Sequence, residues 1–181
     1  NICYYEKRSL FIIELIKKMV AENRKILLLS DRRKHLTYFY DTITENNICS
    51  VGYYVGGMKQ KDRKESEEKQ LMLGTYTMSS EGLDVKSLNT VVFASPKSDI
   101  TQSIGRILRA KNPEILPRAY DIVDKSMKVF ERQAYKRRRF YKKNKYTVTI
   151  TKVFDDVCEG VKSLVEQYET GNVKEYTKNI L

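Results

Sequence analysis

Residues 99–110, reading Asp-Ile-Thr-Gln-Ser-Ile-Gly-Arg-Ile-Leu-Arg-Ala, carry the clearest chemistry in the chain. At 100° per residue, a helix brings Gln102, Arg106 and Arg109 within about 60° of one another and turns Ile104, Ile107 and Leu108 to the other side. One face is then buried, and the other presents an amide beside two guanidiniums. Neighbouring arginines repel each other unless an anion lies between them, and phosphate fits the planar guanidinium fork. Gly105 permits close approach of another backbone, at a helix-propensity cost of about 1 kcal/mol. The competing reading is an amphipathic helix with solvated arginines, in which Gln102 closes a capping box on Asp99.

A second segment points the same way. Leu71–Asp84 reads as a buried strand followed by a turn that ends in Gly82 and Asp84. In an open α/β sheet, ligands bind beyond the carboxyl ends of the strands. Thr75, Ser79, Ser80 and Gly82 stand at such an end with hydroxyls and backbone N–H groups for phosphate, and Asp84 is placed to accept from a ribose hydroxyl. A surface loop with Gly82 at positive φ is the bland alternative. The stretch Ser126–Lys145 holds nine basic residues against Glu131 and supplies +8 of the chain's net +11. As a helix with an apolar seam of Phe130, Ala134 and Tyr141, it leaves Arg137, Arg138 and Arg139 partly exposed for a nucleic-acid backbone, or simply solvated. His35, the sole histidine, has no partner pattern for catalysis and reads as structural.

The elements that position these residues alternate between helix and strand. A helix spans about 8–22, with Leu10, Ile13, Leu15, Ile16, Met19 and Val20 as its apolar stripe. Strands follow at Ile26–Leu29, Cys49–Val55, Leu71–Tyr76, Thr90–Ala94, Ala119–Val123 and Tyr146–Thr151. Between them lie helices through Leu36–Ile43, Lys59–Gln70, Asp99–Ala110 and Ser126–Asn144. Short apolar strands separated by helices predict a mostly parallel sheet covered on both faces, a RecA-like or Rossmann-like three-layer α/β sandwich. Residues 1–151 form the expected domain, and residues 152–181 a helical appendage from about Phe154 to Tyr168 with a polar tail.

Composition bounds the function. A chain of 181 residues with 41% hydrophobic content suits one packed domain. Its apolar runs fall far short of the ~20 residues that cross a bilayer, and Glu14, Lys17 and Lys18 interrupt the N-terminal one, so neither membrane span nor signal peptide is expected. Cys3, Cys49 and Cys158 are odd in number and lack metal-ligand spacing, which suggests a reduced intracellular protein with no metal site. The excess of 34 basic over 23 acidic residues favours a polyanionic partner. No Gly-x-x-x-x-Gly-Lys-Ser/Thr loop is present, since Gly56-Gly57-Met58-Lys59 lacks the spacing, and no Asp-Glu-x-His/Asp motif occurs.

Thr75–Asp84 followed by Gln102-x-x-Gly105-Arg106-x-x-Arg109 resembles motifs V and VI of superfamily 2 helicases. Ile26–Leu36 is similar to motif IV, and Gly56-x-x-x-Gln60-x-x-Arg63 to motif IVa. The wording around Ser80–Asp84 and Ser95–Arg109 is especially similar to the branch that contains UvsW and the transcript-release helicases of poxviruses and other large DNA viruses. The resemblance covers roughly residues 1–150 and implies the C-terminal RecA-like lobe of an ATP-dependent helicase or translocase. It implies Arg109 as the arginine finger, Arg106 as its companion at the γ-phosphate, and Gln102 as a coupling residue. It further implies nucleotide contact at Gly82 and Asp84, and nucleic-acid contact at Thr75, Gly82, Ser30 and Gly57. ATP and Mg2+ would be bound mainly by an N-terminal lobe preceding Asn1 in a longer chain, leaving this piece a monomer without ATPase. The partner implied is DNA, with RNA or an RNA–DNA hybrid left open, inside a host cell or virion. A non-catalytic RecA-like docking module is the alternative, disfavoured by Arg106 and Arg109.

Overall fold

A computed structural model of the chain describes residue 3 and residues 5–81, 83–107, 115–124 and 127–151, without the side chains of Glu81, Arg106 and Ile107. Helix α1 (Glu6–Ala21) leads into β1 (Ile26–Leu29), α2 (Arg33–Glu45), β2 (Val51–Tyr54), α3 (Gln60–Glu68), β3 (Leu71–Gly74) and α4 (Tyr76–Glu81). There follow β4 (Thr90–Phe93), α5 (Thr101–Ile107), β5 (Arg118–Asp121) and α6 (Lys128–Lys143). The strands form one sheet in the order β2-β3-β1-β4-β5, every pairing parallel.

The central strands β1, β3 and β4 are buried along their whole length, as expected of apolar runs covered on both faces. Alternate residues feed two cores. Ile26, Leu28, Leu71, Leu73 and Val92 meet Ile12, Ile16, Met19, Leu36, Phe39 and Ile43 of α1 and α2. On the opposite face, Leu27, Leu29, Met72, Val91 and Phe93 meet Tyr76, Ile100, Ile104 and Tyr141. Right-handed crossovers account for this division. Only the β1-to-β2 step runs outward on one side of β1, and its helix α2 joins α1; the later steps run the other way and put their helices on the second face.

Close packing fixes two glycines. A Cβ at Gly52 would lie 2.7–3.0 Å from Ser66 of α3, and one at Gly74 would press 3.2 Å against the Tyr54 carbonyl. Three helices end alike. Asn23, Asn47 and Lys145 take positive φ just beyond α1, α2 and α6, and the following amide bonds back to Met19, Ile43 or Tyr141, the Schellman pattern that satisfies terminal carbonyls.

Several expectations need correction. In α1, Leu10 is exposed while Ile12 is fully buried, so the apolar stripe is rotated from the one expected. The strand at residue 71 ends at Gly74, and the expected turn begins as the short helix α4. No strand forms over 146–151. Instead Tyr146 folds back, its ring against Phe140 and Tyr141 at 6.0 and 6.1 Å, and Ile150 is 65% exposed. The alternation Tyr146-Val148-Ile150 is strand-like, but the positive φ at Lys145 turns the chain away from the sheet. The appendage 152–181 lies outside the described residues.

Candidate functional site

Because all five strands are parallel, their carboxyl ends share one edge of the sheet, and the loops after them gather there. Those loops begin at Ser30, Val55, Thr75, Ala94 and Ile122. Along this edge, Asp31 N–H donates to Ser95 Oγ at 2.9 Å, the Tyr76 hydroxyl to the Ser95 carbonyl at 2.6 Å, and Ser30 N–H to the Gly74 carbonyl at 3.1 Å. Lys97 Nζ stands 3.5 Å from Asp31 and 5.2 Å over the Tyr76 ring. Burial and the nearby Asp31 charge push the Tyr76 hydroxyl well above its ordinary pKa, so it stays a neutral donor.

Two buried arginines brace this edge, one from each helical layer. Arg8 of α1 grips Asp124 with Nε and Nη2 at 2.8 and 3.1 Å and donates from Nη1 to the Ala94 carbonyl at 2.6 Å. Arg137 of α6 grips Asp121 at 2.8 and 2.7 Å and donates its third bond to the Lys97 carbonyl. The Tyr141 hydroxyl adds a bond to Asp121 at 3.0 Å. Each guanidinium thus ties a β5 exit to the β4–α5 loop. Burial disfavours the charge on Arg137, yet the hydrogen bond and charge of Asp121 outweigh that cost and raise its pKa.

These contacts hold the segment that carries the candidate chemistry. Asp99 Oδ1 accepts from Thr101 N–H at 3.0 Å at the start of α5, which keeps the Asp99 carboxyl below the usual carboxylate range. Ile104 is buried and Gln102 exposed, as expected of these two, and Ile100 just before the helix is buried as well, while the Ile107 side chain and Leu108 lie outside the described residues. Arg106 lies in α5 four residues beyond Gln102, and so on the same face. The side chain of Arg106, and residues Gly82 and Arg109 entirely, lie outside the described residues.

The other expected residues divide. Gly57 is exposed with φ of 86°, a left-handed conformation that glycine adopts without strain. Arg33 of α2 donates to the Gly56 carbonyl beside it. Thr75 is half-buried at the β3 exit, and Asp84 is exposed between α4 and β4. Ser30, in contrast, is fully buried: its Oγ lies 3.0 Å from His35 Nδ1 and accepts from Arg32 N–H, so the hydroxyl does not face outward. Ser79 is likewise turned inward, donating to the Tyr76 carbonyl and lying 3.1 Å from Ser103 Oγ, while Ser80 Oγ donates to the Thr77 carbonyl. Arg137 is the third correction, since the expected partial exposure is replaced by burial in its ion pair, whereas Arg138 and Arg139 are exposed. The braces Arg8–Asp124 and Arg137–Asp121 escaped the sequence because 116 and 16 residues separate the partners. Among the described residues, no group of three or more His, Cys, Asp or Glu is placed to hold a metal ion, and no helix is long and apolar enough to cross a membrane.

The family model described as "Helicase conserved C-terminal domain" matches residues 7–111, more than half of the 181. The chain belongs to that family. This helicase C-terminal domain is 38% identical, over its whole length, to 34% of a protein of Acanthamoeba polyphaga mimivirus named as an ATP-dependent RNA helicase. It is 30% identical over 48% of its length to 20% of a transcript termination protein of Yaba-like disease virus. The solved structure of T4 UvsW superposes with a TM-score of 0.62, covering 78% of this chain and 33% of that one at 23% identity. That likeness shows the fold, a RecA-like helicase lobe, and the viral relatives bear out the branch expected from the sequence. The domain spans about a third of the length of the mimivirus relative.

Proposed function

We propose that this domain is the C-terminal motor lobe of an ATP-dependent superfamily 2 helicase or translocase acting on DNA. In this reading it closes over a nucleotide held by an N-terminal lobe of the same longer chain. Arg109 supplies the finger at the γ-phosphate, Arg106 stands beside it, and Gln102 couples the nucleotide to lobe closure. Asp84 and Gly82 meet the nucleotide side of the cleft. Thr75, Gly82 and Gly57 meet the nucleic-acid backbone, and Ser30 and Arg137, whose side chains are buried, are given no part in that contact. The viral relatives support a viral origin and action inside the host cell.

The observation that carries this reading is α5 itself. It starts beyond the carboxyl end of β4, is pinned through Lys97 and Asp99, and exposes Gln102 while burying Ile100 and Ile104. In this reading the guanidinium of Arg106, whose position in α5 shares the face of Gln102, suits the phosphate oxygens of ATP. Charge neutralisation by a finger acts on the transition state, so its loss lowers kcat more than it weakens binding. In the longer protein, Arg109→Ala is therefore expected to lower nucleic-acid-stimulated ATPase by at least about 10³ and to change nucleotide affinity by tenfold at most. Arg109→Lys should rescue poorly, because an ammonium lacks the fork. Steady-state kinetics decides, and a variant keeping more than about a tenth of kcat would remove the role from Arg109.

A further inference from the structure

Helix α6 carries its positive charge in order. At 100° per residue, Lys128, Arg132, Lys136, Arg139 and Lys143 fall within about 80° of one another, a straight row down one side. All five are exposed, and none forms an ion pair among the described residues. Ala134, Arg137 and Tyr141, buried against the sheet, occupy the opposite side. The one acidic residue of the helix, Glu131, stands about 60° off the row. Like charges at three- and four-residue spacing destabilise a helix. A bound polyanion reverses that cost.

We propose that this row is a phosphate track, along which a single strand of nucleic acid lies with its backbone on the five cations. Their spacing of four, four, three and four residues gives a row about 22 Å long, and a nucleic-acid strand at duplex rise sets roughly six phosphates over that length. At its lower end, Lys136, Arg139 and Lys143 surround the half-buried ring of Phe140 in an open groove of about 510 Å³. Cations around an aromatic floor suit a sugar-phosphate strand with a base laid on the ring. The inference deepens the helicase reading by giving the nucleic acid a second contact surface, away from the motif residues.

The test is an anisotropy titration of a labelled twenty-nucleotide oligothymidylate with this chain at three salt concentrations. Each phosphate neutralised on a single strand contributes about −0.7 to the slope of log K against log salt, so five engaged cations give about −3.5. Lys136→Gln with Arg139→Gln should flatten the slope by about 1.4. Lys142→Gln with Lys145→Gln removes the same net charge from beside the end of the row and should leave the slope nearly unchanged. Glutamine suits an exposed helix, so the fold is kept; should the first pair unfold, Arg132→Gln alone should flatten the slope by about 0.7. Equal flattening by the two pairs would overturn the track in favour of diffuse attraction. Binding to vesicles one-quarter phosphatidylserine, with none to the oligonucleotide, would overturn it in favour of a lipid surface. No ATP is involved, so failure here leaves the Arg109 assay intact, and failure of that assay leaves this titration intact.

Discussion

The His35 ring sits between two hydroxyls, with Nδ1 3.0 Å from Ser30 Oγ, Nε2 3.4 Å from Ser9 Oγ, and its face 4.5 Å from the Phe39 ring. A neutral imidazole satisfies this arrangement, one nitrogen donating and the other accepting. Burial first, and then the nearby Arg8 charge, lower the pKa from 6.5 to about 4. Between those two values the unfolded chain binds a proton that the folded chain refuses. Stability is therefore complete above pH 6.5 and falls on acidification toward pH 4, by up to about 1.4 kcal/mol per pH unit from this group. Urea unfolding of the wild type and of His35→Gln, at about pH 7 and about pH 5, should show a smaller loss in the variant. Identical losses would mean that the folded state protonates the ring freely. The reading of His35 as structural came from what its surroundings in sequence lacked. Its actual partners, one on the preceding helix and one at the β1 exit, belong to tertiary packing.

Helix α6 was legible as an element but not in its rotation. Its basic residues and apolar seam were plain, yet the seam takes in Arg137, because a buried guanidinium has a partner only once β5 is folded beside it. The difference is measurable on neighbouring residues. Arg137→Ala leaves the partly buried Asp121 without its counter-charge and should cost about 3–5 kcal/mol in urea unfolding. Arg138→Ala, on the exposed side, should stay within about 0.5 kcal/mol. Equal small effects would show that the ion pair contributes nothing net. The same limit explains α4. Thr-Tyr-Thr-Met-Ser-Ser reads as turn chemistry, and six residues are too few to form a helix alone. It is held by burial of Tyr76 and the contact between Ser79 and Ser103. The strand Tyr146–Thr151 failed for the opposite reason: its alternation was right and no sheet edge received it. By comparison, β1, β3 and β4 were readable because short, predominantly apolar runs, bounded by polar turns, leave little choice in a sheet covered on both faces.

At the scale of the whole molecule, the division of labour follows from which phosphate-handling groups the chain contains. Its sequence holds Arg106 and Arg109, which the proposal assigns to phosphate, but no Gly-rich phosphate loop to hold a nucleotide. An arginine finger is worth roughly 10³–10⁵ in rate only when another site has already fixed the nucleotide and its metal. Under the proposed role of Arg109, these 181 residues alone would give such a finger no held nucleotide to act on. The purified chain is therefore expected to release phosphate from ATP no faster than its own Arg109→Ala variant, with or without single-stranded DNA. The oligonucleotide affinity of the α6 row should meanwhile persist, at about 10⁻⁴–10⁻⁶ M, the range of contacts made to the backbone alone. A coupled phosphate-release assay at saturating ATP reads the first quantity, and the anisotropy titration reads the second on the same preparation. Turnover that disappears with Arg109 would mean that one lobe suffices for hydrolysis, and the proposed need for a second lobe would fall. Binding without turnover would fit the proposed division, in which this domain grips nucleic acid and a second lobe holds the nucleotide.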